Sequence, residues 1–229
     1  MKALLLLLLL ASALANAAAL ALGAGPPPPP PPPYTPRGAY LHIPFCRRRC
    51  FYCDFPIKVI GDRESTRRVE TDKYVELLLR EIKASADSGA KQGPRGLESV
   101  YFGGGTPSLL SPAQVDRVLA CLDAIYGIQA GAEVTLEMDP GTFDLPRLSS
   151  FKSAGVNRVS LGVQSFDQTV LTACGRAHTA LEAQHAIANM HAAGMDNFSL
   201  DLISSLPGAT PEQWAETLRS ATDAVSPTK

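Results

Sequence analysis

After Gly38 the chain alternates five times between a short β-rich segment and an amphipathic helical segment, and few folds accommodate this order. The predicted strands contain the sequences AYLHIPF, ESVYFGG, EVTLEMD, RVSLGVQS and NFSLDLI. Predicted helices begin at Ser111, Thr179 and Thr210, each followed three positions later by Gln or Glu, and Gly127 marks a helix end. Because strands joined through a helix run parallel, the alternation predicts an α/β parallel sheet, either open or curled into a barrel.

The two faces of the predicted strands differ in polarity, which favours a curved barrel wall. One face is apolar and holds Leu41, Ile43, Val134, Leu136, Met138, Val159, Leu161, Val163, Phe198, Leu200 and Leu202. The other face is polar and holds Tyr40, His42, Thr135, Glu137, Asp139, Ser160, Gly162, Gln164, Ser199 and Asp201. Such a sheet packs helices on one side and encloses a polar cavity on the other. We therefore expect an incomplete βα barrel of about five units, with its chemistry at the carboxyl ends of the strands.

Composition limits the size of the domain and its partners. The 229 residues are 45% hydrophobic and 19% charged, which is sufficient for one domain with a sizeable core. The net charge of −1 gives no electrostatic reason to expect nucleic acid or an anionic membrane as a partner.

The first 37 residues differ from the rest and are predicted to precede a domain at residues 38–229. A leucine run at residues 4–10, followed by small residues, is typical of a secretory signal peptide and is too short to span a bilayer. Eight prolines at residues 26–33 predict an extended spacer. A targeting signal and a low-complexity leader both remain open, and the expected location is an organelle (mitochondrion or chloroplast) or the cytoplasm.

Three of the five cysteines are crowded together in C-x3-C-x2-C spacing. They are Cys46, Cys50 and Cys53, whereas Cys121 and Cys174 lie far apart in predicted helices. Such crowding in a chain of this size favours a metal centre over a disulfide framework. A structural zinc site needs four ligands, and His42 would make a Cys3His site formally complete. Three thiolates alone suit a [4Fe–4S] cluster with one open iron, and the spacing leaves both alternatives open.

The cysteine motif and later segments resemble the radical S-adenosylmethionine (SAM) superfamily. In order, YLHIPFCRRRCFYCDF, YFGGGTPSLLS, LEMDPGT, FKSAGVNRVSLGVQSF, CGRAHT and LDLISSLPG resemble the motifs of the oxygen-independent coproporphyrinogen III oxidase family. The oxidase branch typically carries a further cysteine after the third ligand. Here Asp54 and Phe55 follow Cys53, which resembles the haem-chaperone branch instead.

The resemblance implies a role for each matching residue. Cys46, Cys50 and Cys53 would ligate the [4Fe–4S] cluster as thiolates, which are soft ligands for iron. The SAM contacts would come from Tyr40, Tyr52, Gly104, Gly105, Thr106, Glu137, Gln164, Arg176 and Asp201. Asp201 lies between two leucines of a predicted strand, so we expect it to be paired, either with a protein group such as Arg176 or with the ligand.

We expect no part in the chemistry for the remaining arginines of the loop or for the other two cysteines. Arg47, Arg48 and Arg49 are expected to be solvated loop charges, with contacts to tetrapyrrole propionates as the alternative. Cys121 and Cys174 are expected to be small, unreactive helix residues.

The resemblance predicts a protein that binds haem and passes it to a haem-accepting protein, with SAM, the cluster and an electron donor assisting. The first alternative is oxidative decarboxylation of coproporphyrinogen III in porphyrin and haem biosynthesis, and a remote one is a structural zinc protein. The family barrel has six βα units, whereas five are recognised here. We therefore expect the chain to stop before a sixth strand, and we expect an extended chain to be more soluble.

Overall fold

The computed structural model describes residues 36–87 and 96–225, and the structural statements below concern these ranges. Apart from Pro36 and Arg37, the leader predicted at residues 1–37 lies outside the described residues, as do residues 226–229.

Seven strands and six α-helices follow one another in the described residues. The first half contains β1 (Gly38–Ile43), β2 (Phe45–Cys46), β3 (Lys58–Val59), α1 (Glu64–Asp87), β4 (Leu97–Gly104), α2 (Pro112–Tyr126) and β5 (Ile128–Met138). The second half contains α3 (Leu145–Ser153), β6 (Arg158–Gln164), α4 (Gln168–Ala173), α5 (Ala180–Ala192), β7 (Phe198–Leu202) and α6 (Pro211–Val225). None of these helices is both long and apolar enough to cross a membrane.

Five of the strands form one parallel sheet in the order β1-β4-β5-β6-β7, which is also their order along the chain. In this sheet Leu41 lies opposite Phe102, and Leu136 lies opposite Val159. A doubly wound sheet reverses its strand order at a switch point, whereas a barrel wall continues in one direction. The sheet continues in one direction, and the predicted partial βα barrel with five units is confirmed.

The main core lies between the apolar face of the sheet and the helices. Its fully buried members include Ile43, Val100, Phe102, Val115, Val118, Leu136, Phe151, Leu161 and Val163. The predicted alternation extends to β7, but Phe198, Leu200 and Leu202 are only half-buried. In the described sheet β7 pairs with β6 alone, so its outer edge has no neighbouring strand to cover it.

The predicted helix ends are confirmed by side-chain caps. Ser111 and Gln114 exchange reciprocal hydrogen bonds at the start of α2, and Thr179 does the same with Glu182 before α5. At the end of α2, Gly127 has φ of 73°, a value that strongly favours glycine. These local contacts fix where α2 and α5 begin and where α2 ends.

One strand is longer than its sequence pattern indicates. The prediction begins at Glu133, whereas β5 begins at Ile128. The Ile128 N–H donates to Asp123 Oδ1 at 2.7 Å, and Ile128 pairs with Leu97 before a register shift. Exposed Ala130 and Gly131 interrupt the alternating pattern here, which hides the first half of the strand.

We expect Leu136→Ala to lower the free energy of unfolding by about 2–5 kcal/mol, because Leu136 is completely buried in the sheet and its truncation leaves a cavity. The matched control is Leu181→Ala, whose side chain is 59% exposed, and it should change stability by no more than about 0.5 kcal/mol. Urea denaturation of both variants measures the difference. Equal losses would contradict the assigned core.

Candidate functional site

A cavity of about 380 Å³ lies at the carboxyl ends of the sheet strands, within the usual size range of small-molecule sites. Eleven of the twelve residues proposed from the sequence line it: Cys46, Cys50, Tyr52, Cys53, Gly104, Gly105, Thr106, Glu137, Gln164, Arg176 and Asp201. The structure therefore brings the cysteine loop and the ends of four strands, β4, β5, β6 and β7, to one place.

The cysteine loop is closed at its base by a small parallel sheet that the sequence pattern did not reveal. Strands β2 and β3 pair there, with Cys46 opposite Val59. Main-chain hydrogen bonds from Lys58 to Pro44 (2.7 Å) and from Ile60 to Cys46 (2.9 Å) hold the closure. The loop from Cys46 to Ile57 therefore leaves the barrel and returns to it at a fixed position.

Two of the three arginines in this loop make hydrogen bonds that hold it together, although Arg49 is exposed to solvent, as expected. The Arg49 guanidinium donates to the carbonyl oxygens of Cys53 (2.9 Å), Phe55 (3.3 Å) and Ile57 (3.5 Å). These hydrogen bonds hold the second half of the loop together. The interpretation as solvated charge holds for Arg48, whose side chain is 59% exposed.

Arg47 ties the loop to the barrel. Its side chain is 19% exposed, pairs with Asp62 and donates from Nη1 to the Gly141 carbonyl oxygen at 3.0 Å. The hydrogen bond from Arg47 lowers the pKa of the Asp62 carboxyl. The expectation of a solvated charge is therefore wrong for Arg47, because an acidic residue and a carbonyl lie within its reach.

The three thiols share one environment. Thr106 Oγ1 donates to Cys46 Sγ at 3.4 Å, and Arg176 Nη1 donates to Cys50 Sγ at 3.4 Å. Burial raises the pKa of the Cys46 thiol, against the hydrogen bond from Thr106, and the nearby Cys53 and Cys50 raise it further. Three soft sulfur donors on one loop beside hydrogen-bond donors fit a cluster that is held by three thiolates.

The Cys3His alternative is not formed in the residues that the structure describes. No three Cys, His, Asp or Glu side chains converge there on a single metal position. His42 does not line the cavity, and its Nδ1 lies 3.3 Å from the Tyr40 hydroxyl.

A glycine turn after β4 forms one wall of the cavity. Gly104 has φ of 116°, and a methyl group added at Gly105 would lie 2.6 Å from the Phe45 carbonyl oxygen. Glycine is therefore required at both positions, by backbone conformation at the first and by close packing at the second. The turn brings backbone groups to the cavity, next to Cys46.

The polar side chains of the sheet form the floor of the cavity. Glu137 accepts hydrogen bonds from the Gly104 N–H (2.9 Å) and from the Tyr101 hydroxyl (2.8 Å). Burial and then the bond to Glu137 raise the pKa of Tyr101 to about 12, so Tyr101 remains a donor at neutral pH. Ser160 Oγ donates to Asp201 Oδ2 at 2.8 Å.

Asp201 is exposed, lines the cavity and has a protein partner, as expected, but that partner is Ser160 and not Arg176. The Arg176 Nη2 instead donates to Asp139 Oδ2 at 2.6 Å and to the Gly162 carbonyl oxygen at 2.9 Å. Asp139 directly follows β5 and is the carboxylate with which the Arg176 guanidinium pairs.

Arg176 and its partners Asp139 and His178 are largely buried. The sequence analysis gave no role to Asp139 or His178. Burial alone would lower the pKa of Arg176, but Asp139, Tyr52 and Cys50 together outweigh burial and raise it. Burial would raise the pKa of Asp139, but the neighbouring His178 and Arg176 hold it below its usual value. Both Asp139 and His178 fall inside the LEMDPGT and CGRAHT motifs, which was the available signal.

The two aromatic candidates occupy different places. The Tyr52 hydroxyl lies in the cavity and accepts from Arg176 Nη1 at 3.3 Å, and burial raises its pKa. Tyr40 is the exception among the proposed residues: it is 60% exposed and stacks on Tyr101 with ring centroids 6.0 Å apart. It lines a second cavity, of about 340 Å³, between β1 and α1.

Gln164 ends β6 in a conformation that non-glycine residues rarely adopt. Its φ is 65°, and a register shift separates the Leu161 and Gln164 pairings with β7. Strained backbone of this kind concentrates at functional sites. The turn of the chain at this point directs Gln164 into the cavity lining.

The other two cysteines lie away from the cavity lining. Cys121 is part of α2, as predicted. Cys174 is buried at the C-cap of α4 instead of inside a helix, and its carbonyl oxygen accepts from the Phe51 N–H at 3.0 Å. That contact fastens the cysteine loop to α4.

Comparisons with known proteins agree with this geometry. A profile of the Radical SAM superfamily matches residues 40–221. The heme chaperone HemW of Synechocystis is 44% identical over 186 residues, which are 81% of this chain and 44% of the relative. The mouse protein "Radical S-adenosyl methionine domain-containing protein 1, mitochondrial" is 37% identical over 185 residues, 81% of this chain and 40% of the relative.

The solved structure of Escherichia coli coproporphyrinogen III oxidase (HemN), a radical SAM enzyme, superposes with a TM-score of 0.72 and 30% identity. It is matched over 84% of this chain and 42% of HemN, so the chain spans less than half the length of all three proteins. The superfamily implies a [4Fe–4S] cluster and SAM as cofactors. The chain belongs to the radical SAM superfamily, in the coproporphyrinogen III oxidase-like group that includes the HemW haem chaperones.

Proposed function

We propose that this protein is a radical SAM haem chaperone, which binds haem and transfers it to haem-accepting proteins. The convergence of three thiols and eight of the nine expected SAM contacts on one cavity carries the proposal. The name of the Synechocystis relative supports haem as the cargo. The acceptor and the electron donor would be separate proteins.

Different residues of the cavity would bind the two cofactors. Cys46, Cys50 and Cys53 would hold three irons of the cluster, with the cysteine loop as their scaffold. The glycine turn, Glu137 and Asp201 would bind SAM, with backbone groups and carboxylates that suit its polar amino-acid and ribose parts. Bound together, the cluster and SAM supply one-electron chemistry, while the cavity walls limit access of water.

A second function is coproporphyrinogen III oxidation, which the similarity to HemN favours. Against it stands the CDF sequence that begins with the third ligand, Cys53, where Phe55 occupies the position of the further cysteine in the C-x-C typical of the oxidase branch. The chaperone is therefore preferred.

The test adds haem or coproporphyrinogen III to anaerobically reconstituted protein with SAM and a reductant. Stable haem binding without consumption of coproporphyrinogen is expected for the chaperone. Conversion of propionate groups to vinyl groups with release of carbon dioxide would establish the oxidase instead. Purified protein that contains zinc without iron or sulfide would refute both.

We expect Cys50→Ala to abolish the reconstituted cluster, because it removes one of only three thiolate ligands on the loop. Cys121→Ala is the matched control and should retain wild-type iron and sulfide, since Cys121 lies in α2 away from the cavity lining. Iron and sulfide assays with the visible absorption spectrum measure both variants. Equal cluster content in Cys50→Ala and wild type would contradict the ligand assignment.

We expect Arg49→Ala to lower the iron bound per chain while Arg48→Ala does not. A hydrogen bond from a charged donor contributes about 1.5–3 kcal/mol, and Arg49 donates to three carbonyl oxygens of the loop, whereas Arg48 is largely solvated. Both variants lose the same charge, so a purely electrostatic effect would affect them alike. Iron content and cluster lifetime after removal of excess iron decide between the two outcomes.

Residues 1–37 are proposed to act as a leader separate from the domain at residues 38–229. The mitochondrial designation of the mouse relative favours an organelle over the cytoplasm as the destination. A fluorescent fusion of residues 1–37 tests this, and an evenly cytosolic signal would exclude targeting.

A further inference from the structure

Asp139 is one of the residues that line the cavity, and it is held in place from several sides. Its Oδ1 accepts from the Gly141 N–H at 3.3 Å, and its own N–H donates to Ser108 Oγ at 3.2 Å. Its side chain is 12% exposed. The carboxylate is thus a fixed point, anchored to the turn after β5.

His178 buttresses this carboxylate from the far side. The ring is 2% exposed, and Nε2 donates to the Val163 carbonyl oxygen at 3.1 Å, since that oxygen can only accept. Nδ1 then faces Asp139 Oδ2 at 3.2 Å and Arg176 Nη2 at 3.1 Å. Asp139, His178 and Arg176 therefore form one buried cluster.

The orientation of Arg176 depends on this cluster. Its Nε is buried and has no hydrogen-bond partner among the described residues, so the guanidinium is held through its two terminal nitrogens. Nη2 is held by Asp139 and Gly162, which leaves Nη1 directed at Cys50 and Tyr52. Without the carboxylate, the Gly162 carbonyl oxygen and the His178 ring nitrogen would remain as neutral partners on the inner side of the cation.

We propose that Asp139, supported by His178, is a positioning residue that holds Arg176 against Cys50 and thereby sets how tightly the cavity binds SAM beside the cluster. The inference rests on the proposed SAM and cluster site. Asp139 is itself among the residues that line the cavity, and its effect on SAM is exerted through Arg176, whose Nη2 it accepts from at 2.6 Å. Hydrogen bonds to cluster sulfurs also affect the reduction potential, so Asp139 should be visible in the cluster itself.

The test is a double-mutant cycle on anaerobically reconstituted protein, with Asp139→Asn, Arg176→Gln and the double variant. Asn keeps an oxygen for the Gly141 N–H but removes the charge that orients Arg176. SAM affinity by calorimetry should fall about tenfold in Asp139→Asn, a coupling typical of residues in contact, and should fall no further when Asp139→Asn is added to Arg176→Gln. The electron paramagnetic resonance signal of the reduced cluster should change in the same non-additive way.

Asp144→Asn is the matched control, because Asp144 also follows β5 and accepts a backbone hydrogen bond, from the Arg147 N–H at the start of α3, outside the cavity lining. It should bind SAM like wild type. If Asp139→Asn is insoluble, His178→Gln replaces it, with an expected loss of about threefold that vanishes in the Arg176→Gln background.

Wild-type protein that assembles a cluster but binds no SAM would overturn the proposed function and this inference with it. SAM affinity that Asp139→Asn leaves unchanged, or lowers equally with and without Arg176, would overturn this inference alone. Thermal unfolding of every variant separates a general loss of stability, which would be independent of Arg176, from the coupling.

Discussion

Main-chain hydrogen bonding between five parallel strands in sequential order is the constraint on which the rest of the structure depends. Because all five strands point the same way, their carboxyl ends meet at one edge of the barrel wall. Residues as far apart along the chain as Cys46 and Asp201 consequently line one cavity. Apolar packing against the helices stabilises the sheet from one side, which leaves its polar face available for binding.

The polar face is organised as layers linked by side chains. Glu137 is fixed by a backbone amide and a tyrosine, and Asp201 by a serine of the neighbouring strand. Both carboxylates have a protein donor, and each retains acceptor capacity towards the cavity. Arg176 connects the sheet with the cysteine loop, which makes the thiol environment dependent on residues of β5 and β6.

Local signals predicted most of the fold, and motif resemblance predicted most of the site. The capping pairs at Ser111 and Thr179 act within four residues, so the sequence alone reveals them. Arg47 contacts Gly141, which lies 94 residues away along the chain, and Arg176 contacts Cys50, which lies 126 residues away. No local sequence pattern encodes such contacts. For the same reason the pairing of β2 with β3 and the separate location of Tyr40 emerge only from the folded chain.

Closure of the cysteine loop by β2 and β3 has a consequence for how a metal centre would form. A flexible loop loses conformational entropy when its ends are brought together, and here that loss occurs when the barrel folds. The thiols of the folded chain therefore already have a high effective concentration with respect to one another. Iron and sulfide arriving later would meet a preorganised site, and assembly of the cluster would depend more on delivery than on rearrangement of the protein.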